Sequence, residues 1–348
     1  MKIKAWRIEK HGGVEVLQRK DLDLPDPGPM QVRVKVQAVA LNHLDLWVRK
    51  GVPGHKFPLP MTPGCDVVGK VAALGPGSAE SLAKDGIQVG SEVVVSPGVS
   101  CGHCEACLSG FDPLCPSYGI IGETMDGGCA DFINVSVANL ILKPASLSVT
   151  QAAALLIPYL TAWTMLVRKA QLKPGENVLV HAGGSGVSIA CIEIAKMLGA
   201  TVITTVGTDD KIAKAKQLGA DHVINYKQTR FRDELKKIGK KVSIVVDHVG
   251  SETFAESIKS LTWGGRLVTC GATSGPMVEI DLRHIFFKNI SILGTTMGSK
   301  GDLHEILNLA AQGKLKPVID HVYPMDQLPQ AHERLESRAA FGKLVVTQ

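Results

Sequence analysis

The chain has no apolar run approaching the roughly 18 residues that a membrane span requires. It has no block of lysines or arginines, and aromatics are only 5% of its 348 residues, without the interleaving of aromatic and basic side chains expected of nucleic-acid surfaces. Neither a membrane nor a nucleic-acid partner is therefore expected. The net charge of +5 is spread along the sequence as a solvated face, and it would still help attract an anionic cofactor or substrate. Internal repeats, linker tracts and low-complexity segments are also missing. Nothing at the amino terminus resembles a secretory signal, so a cytoplasmic protein with reduced thiols is the expectation. What is present is 45% hydrophobic and 20% charged, the balance of a well-packed protein, at a length that suits two domains.

Four of the eight cysteines fall within fifteen residues, as Cys101-Gly-His-Cys104-Glu-Ala-Cys107 and then Cys115. The spacing C-x2-C-x2-C-x7-C lets a small loop present four thiolates to a tetrahedral ion, which reads as one structural Zn²⁺. A disulfide cluster is the alternative. It is disfavoured because Cys65, Cys129, Cys191 and Cys270 are scattered among apolar residues like reduced thiols. A fully thiolate-ligated ion leaves no position for water or substrate, so the chemistry is expected elsewhere.

Up to about residue 150 the pattern is short alternating or β-branched runs, such as 32–39, 66–72 and 92–95, broken by Pro and Gly turns. This predicts a β-rich domain from which the cysteine lobe, about 96–118, projects. From 151 to about 295 strands and helices alternate: strands at 177–181, 201–206, 222–225, 243–247 and 266–270, with helices at 187–198 and 210–218. That alternation predicts an α/β, doubly wound parallel sheet. The tail, 296–348, carries a helix at 303–311 and a last strand, 343–346, that rejoins the first domain.

The first strand of the α/β region runs into His181-Ala-Gly183-Gly184-Ser185-Gly186-Val187-Ser188, where a helix begins. Glycines there let backbone N–H groups approach a pyrophosphate, and the helix amino terminus adds partial positive charge. Serines occupy two glycine positions of the full fingerprint, so the assignment rests on the strand-loop-helix context. At the tip of the second strand, Gly207 and Thr208 leave room for a 2′-phosphate and Lys211 offers a matching charge, which favours NADP(H). Asp209 and Asp210 keep NAD(H) open, although capping the next helix is their expected job.

Taken together, the cysteine lobe and the loop from Ala182 to Ser188 resemble the medium-chain dehydrogenase/reductase superfamily of zinc-containing alcohol dehydrogenases and quinone oxidoreductases, over essentially the whole chain. The resemblance implies a GroES-like catalytic domain plus a Rossmann domain, and a homodimer or homotetramer joined through Rossmann edge strands. The alcohol dehydrogenases also hold a catalytic zinc with a Cys, a His and a later Cys. At the matching positions this chain has Asn42, Cys65 and Ile157, two of the three being non-ligands; an improvised set of Cys65, Asp66 and His43 is the alternative that keeps a second metal open. What remains is similar to the zinc-independent quinone and enoyl reductases, where an Asn-x-x-Asp pattern like Asn42 to Asp45 recurs. In those relatives, segments similar to Gly207-Thr208, Lys211 and Val223 to Tyr226 hold the 2′-phosphate and adenosine. By the same resemblance Thr161 lies near the nicotinamide, and Gly342-Lys343 returns to the cofactor, with Lys343 neutralising the pyrophosphate.

Oxidising a simple alcohol needs something to stabilise the alkoxide, which zinc does well. Reducing a conjugated C=C or a quinone asks only for hydrogen-bond donors and a proton source at the developing anion. The expected activity is NADP(H)-dependent hydride transfer to an α,β-unsaturated carbonyl, enoyl thioester or quinone. An alcohol dehydrogenase with an atypical metal site and a non-catalytic NADPH-binding protein are the alternatives. Candidate catalytic residues are Asn42 (nicotinamide positioning or an oxyanion donor), His43 and Asp45 (a proton relay) and Tyr159 (a proton donor), with packing or capping roles as the alternative for each. Cys270 and Gly271 follow a strand at the carboxyl edge of the sheet, where cofactors bind.

Overall fold

The computed structural model describes residues 1–348 and divides into two compact units. One comprises Met1–Ile157, Ser299–Gly313 and Pro317–Gln348, the other Pro158–Gly298 and Lys314–Lys316.

The first unit is built on a seven-stranded sheet. Its order is Ile319–Pro324, Lys343–Thr347, Gln31–Ala40, Asp66–Leu74, Glu92–Val95 and Leu140–Leu142, with Phe132–Ser136 also pairing to Gln31–Ala40. Alternating valines explain the central strand: Val32, Val34, Val36 and Val39 are fully buried with Val67, Val93, Val95 and Val346 in one core. Register matters most at one end. Ala40 is paired with Asp66 on one side and Val345 on the other, so the chain leaving at Leu41-Asn42 emerges beside the start of both neighbouring strands. A helix, His43–Lys50, begins at once, and Asp45 Oδ2 accepts from the Asn42 backbone N–H at 2.7 Å, fixing its entry.

The second unit carries a six-stranded parallel sheet ordered His222–Asn225, Thr201–Val206, Asn177–Val180, Val242–Val246, Leu261–Thr269 and Ser291–Gly294. Its strands are near-continuous apolar runs because both faces are covered: Val178, Leu179, Val180, Ile244, Val245 and Val246 are all fully buried. The helix Gly186–Met197 follows the first strand after a short loop. Sequence periodicity missed the edge strand Ser291–Gly294, which is mostly exposed, and the helix before it, Leu282–Lys288. It also missed the length of the apolar helical stretch Val149–Lys169, whose threonines, Gln151 and Pro158 interrupt a strict apolar run. That stretch has the length and mean hydropathy (1.3) of a membrane span, but 72% of its apolar window is buried inside the protein, as in a core helix.

Candidate active site and cofactor loop

Three chain segments meet at the end of the first unit's sheet. Asn42 Nδ2 donates to Asp66 Oδ2 at 2.8 Å, and Asn42 Oδ1 accepts from Lys343 Nζ at 2.7 Å. Lys343 Nζ also donates to Leu41 O at 2.6 Å and approaches Asp66 Oδ2 at 3.3 Å. The other Asp66 oxygen accepts the Ile157 backbone N–H at 3.0 Å. Asp45 sits alongside, with Oδ2 on the Asn42 N–H and Oδ1 on the Gly64 N–H at 3.0 Å. Both carboxylates are fully buried, and Lys343 is 5% exposed. Burial drives the Asp45 carboxyl up to about 6, against the opposing pull of the Asn42 N–H and Lys343. Asp66 is raised for the same reason, with Lys343 and Asn42 restraining the rise. One ammonium thus stands among two carboxyls, one amide and three backbone N–H donors, a site able to hold or pass a proton.

Sequence reasoning sent Lys343 to the pyrophosphate. In the structure its three donors are committed to Leu41, Asn42 and Asp66, because strand pairing carries its side chain to the Asn42 corner. His43 is half-buried and sets its ring edge-on to Trp47 at 5.9 Å. Tyr159, expected as a proton donor, is buried in the second unit with its hydroxyl 2.6 Å from Glu193 Oε2, and burial holds that hydroxyl far above its ordinary range. It is an internal structural pair, since a helix face built of Ala and Leu turned it inward. Asp66 is the residue that sequence reasoning undervalued, treating it only as an improvised metal ligand.

Asn42, Cys65 and Ile157 do not form the donor set of a catalytic zinc. The Asn42 amide is bonded on both sides, Ile157 offers no donor atom from its side chain, and burial with neighbouring Asp45 and Asp66 holds the Cys65 thiol well above its usual range. The four-cysteine lobe does fit zinc. Its four sulfurs lie within 4.8 Å of one another, with Cys104–Cys107 at 3.5 Å and Cys101–Cys107 at 3.9 Å. Tetrahedral Zn–S bonds of about 2.3 Å would put neighbouring sulfurs about 3.8 Å apart. Backbone N–H groups of Cys104 and Cys101 point at the sulfurs of Cys101 and Cys115, at 3.4 and 3.5 Å, as thiolates require. An ion held here would supply folding free energy to the lobe, with no open coordination position.

In the second unit the loop after Val180 is sharp: Ala182 adopts a left-handed conformation (φ 53°), and a Cβ on Gly183 would lie 2.4 Å from Thr204 Oγ1, so only glycine fits there. Ser185 caps the helix, accepting from the Ser188 N–H at 3.2 Å, and Gly184, Gly186 and Val187 complete the turn. Behind it, His181 is fixed between Thr205 Oγ1 (3.2 Å) and Ser257 Oγ (2.9 Å), and Ser257 donates to Asp247 Oδ2 at 2.7 Å. At the second strand tip, Asp209 does not cap by its side chain: its carboxylate accepts from Asn225 Nδ2 at 2.7 Å and Gln228 Nε2 at 2.8 Å. Thr208 is exposed and hydrogen-bonds Asp210, whose pKa it lowers; Lys211 lies one residue on, in the first turn of the helix. The Tyr226 hydroxyl lies over Gly207, where an added Cβ would meet it at 2.7 Å. Thr161 is buried, while Cys270 and Gly271 are part-exposed at the carboxyl edge, with the Cys270 thiol pushed up to about 12 by burial.

The family described as "Alcohol dehydrogenase GroES-like domain" matches residues 28–145, and "Zinc-binding dehydrogenase" matches 186–312. The human quinone oxidoreductase is 31% identical over 99% of this chain and 97% of its own length. The chain belongs to the medium-chain dehydrogenase/reductase superfamily. It is an oxidoreductase of that type, in a family that uses NAD(P)(H) on small molecules. An acryloyl-coenzyme A reductase of Sulfurisphaera tokodaii is 32% identical over 92% of this chain and 93% of its own. A solved structure titled as an NAD-dependent alcohol dehydrogenase is 46% identical, covers 99% of both chains and superposes with a TM-score of 0.93.

Proposed function

We propose that this superfamily member transfers hydride from NADPH to a conjugated acceptor, a quinone, an enone or an enoyl thioester, without a catalytic zinc. The observation that carries the reading is the Asn42–Asp66–Lys343 cluster: where the alcohol dehydrogenases place metal ligands, this chain has an amide, an aliphatic side chain and a deeply raised thiol. With hydride arriving at a conjugated carbon, the acceptor oxygen needs a proton and not a Lewis acid. Asp45, poised near 6, is the group with suitable proton affinity, and His43 stands at the same helix start as a second candidate in the relay. NADPH is favoured over NADH because the Asp209 carboxylate, which could otherwise accept from a ribose hydroxyl, is occupied by Asn225 and Gln228, and Lys211 adds a positive charge at the same strand tip. Structural zinc is assigned to Cys101, Cys104, Cys107 and Cys115. The exposed apolar residues Leu282, Phe286, Phe287 and Ile292 flank the open edge strand and favour pairing with a second copy of this chain, in the cytoplasm.

The 46% identity to an NAD-dependent alcohol dehydrogenase supports a second reading, alcohol oxidation at an atypical metal site. One anaerobic experiment separates the two: purified enzyme is assayed with NADPH and NADH against quinones, enones, enoyl thioesters and primary alcohols, alongside zinc determination. Turnover of conjugated acceptors with one zinc per chain supports the proposal. Turnover of alcohols alone, abolished by chelation, with two zincs per chain, overturns it.

A further inference from the structure

The dinucleotide loop departs from the glycine fingerprint at Ser185 and Ser188, and the departure comes with a partner. His248 lies just beyond the strand Val242–Val246, which pairs in parallel register with Asn177–Val180, so it stands beside the loop that follows the latter. It is 7% exposed, with Nε2 2.8 Å from Ser188 Oγ and 3.4 Å from Ser185 Oγ. The proton positions follow from the network. Ser188 Oγ donates to His181 O at 2.7 Å, and Ser185 Oγ donates to Ser188 Oγ at 2.9 Å. The second lone pair on Ser188 Oγ then calls for a donor, which is the Nε2–H of a neutral imidazole. Burial works in the same sense, holding His248 down to about 4.

A glycine at 188 would ask for nothing, whereas a fully buried serine hydroxyl must have its partners. The same hydroxyls hold the start of the helix: Ser185 Oγ takes the Ser188 N–H, and the first regular helical bond runs from Ile189 N to Ser185 O at 2.9 Å. The N–H groups of Gly186 and Val187 precede that bond and have no intrahelical acceptor, which leaves them for an anion. We propose that His248 is a positioning residue for the dinucleotide, setting the direction of these N–H groups through Ser188 and Ser185 without touching phosphate itself. The inference rests on the loop being the pyrophosphate site.

Fluorescence titration with NADPH and NADH, together with steady-state kinetics, tests it on the full chain. Wild type is compared with H248L, H248Q, S188G and S188G/H248L; H248N, whose amide stops short of Ser188, replaces H248L if the latter does not fold. H248L is expected to raise cofactor Kd and KM about tenfold, the effect of orphaning one buried hydroxyl, with kcat at saturating cofactor retained. H248Q, with an amide near the Nε2 position, is expected to recover wild-type affinity, and H248L is expected to cost little in the S188G background. Equal affinity in H248L, a loss undiminished in S188G, or a fall in kcat at unchanged Kd would overturn the assignment while leaving the dinucleotide reading intact. A wild-type chain that binds neither nucleotide overturns both.

Discussion

Lys343 is the residue on which the first unit's Asn42–Asp66 corner depends. It is the cation facing the buried Asp66, so Lys343→Met leaves an uncompensated buried carboxylate, and chemical denaturation should register a loss of about 3–5 kcal/mol. Activity should fall as well, because the Asn42 amide loses the partner that orients it; an active variant of unchanged stability would show that the pair is incidental. Asp45 makes a different prediction. Its carboxyl titrates near 6 in the folded chain against an ordinary value of 3.8, so the folded state keeps its proton to higher pH than the unfolded state does. Stability from this group is therefore full below about pH 4 and declines as pH rises to about 6, by at most about 3 kcal/mol. Denaturation of wild type and Asp45→Asn between pH 4 and 7 should show wild type losing ground across that window and a constant difference above it. Wild type gaining stability relative to Asp45→Asn as pH rises would refute the assigned direction.

At the scale of elements, the cysteine lobe and the sheet edge carry separate predictions. The lobe has a four-residue helix, Glu105–Leu108, a short 3-10 turn, Asp112–Leu114, and a two-residue strand pair, Gly98–Val99 with Gly119–Ile120, so a zinc held by the four cysteines would be its main cross-link. Cys107→Ser should remove zinc from the purified protein and render residues 101–115 sensitive to protease; zinc retained at wild-type content would remove the site from consideration. These elements also show how much was legible beforehand. The alternating valines of Gln31–Ala40 and the apolar run of Asn177–Val180 announced their strands because burial dictates side-chain periodicity. Ser291–Gly294 was not legible: three of its four residues face solvent, so no burial pattern marked it.

For the whole molecule, the second unit's sheet ends in that same exposed strand, flanked by Phe286 and Phe287 at 60% and 62% exposure. Association with a second copy along this edge would bury them. Wild type is expected to sediment as an oligomer in analytical ultracentrifugation, and Ile292→Lys, which puts a charge on the edge, as a monomer while each unit keeps its fold. A wild-type chain that sediments as a monomer would dispose of the edge as an interface.

The linear chain by itself determined whatever depends on neighbours in sequence. The spacing of four thiols, the glycine turn between strand and helix and the alternation of strands and helices are local, and local sterics and ligand geometry are enough to imply them. Only tertiary structure decided what depends on residues hundreds of positions apart. Lys343 reaches Asn42 because Val345 registers against Ala40, and the Asp209 carboxylate is taken up because Asn225 on the neighbouring strand donates to it. Side-chain type fixed which bonds these groups can make, while the register of the sheets fixed which of them were made.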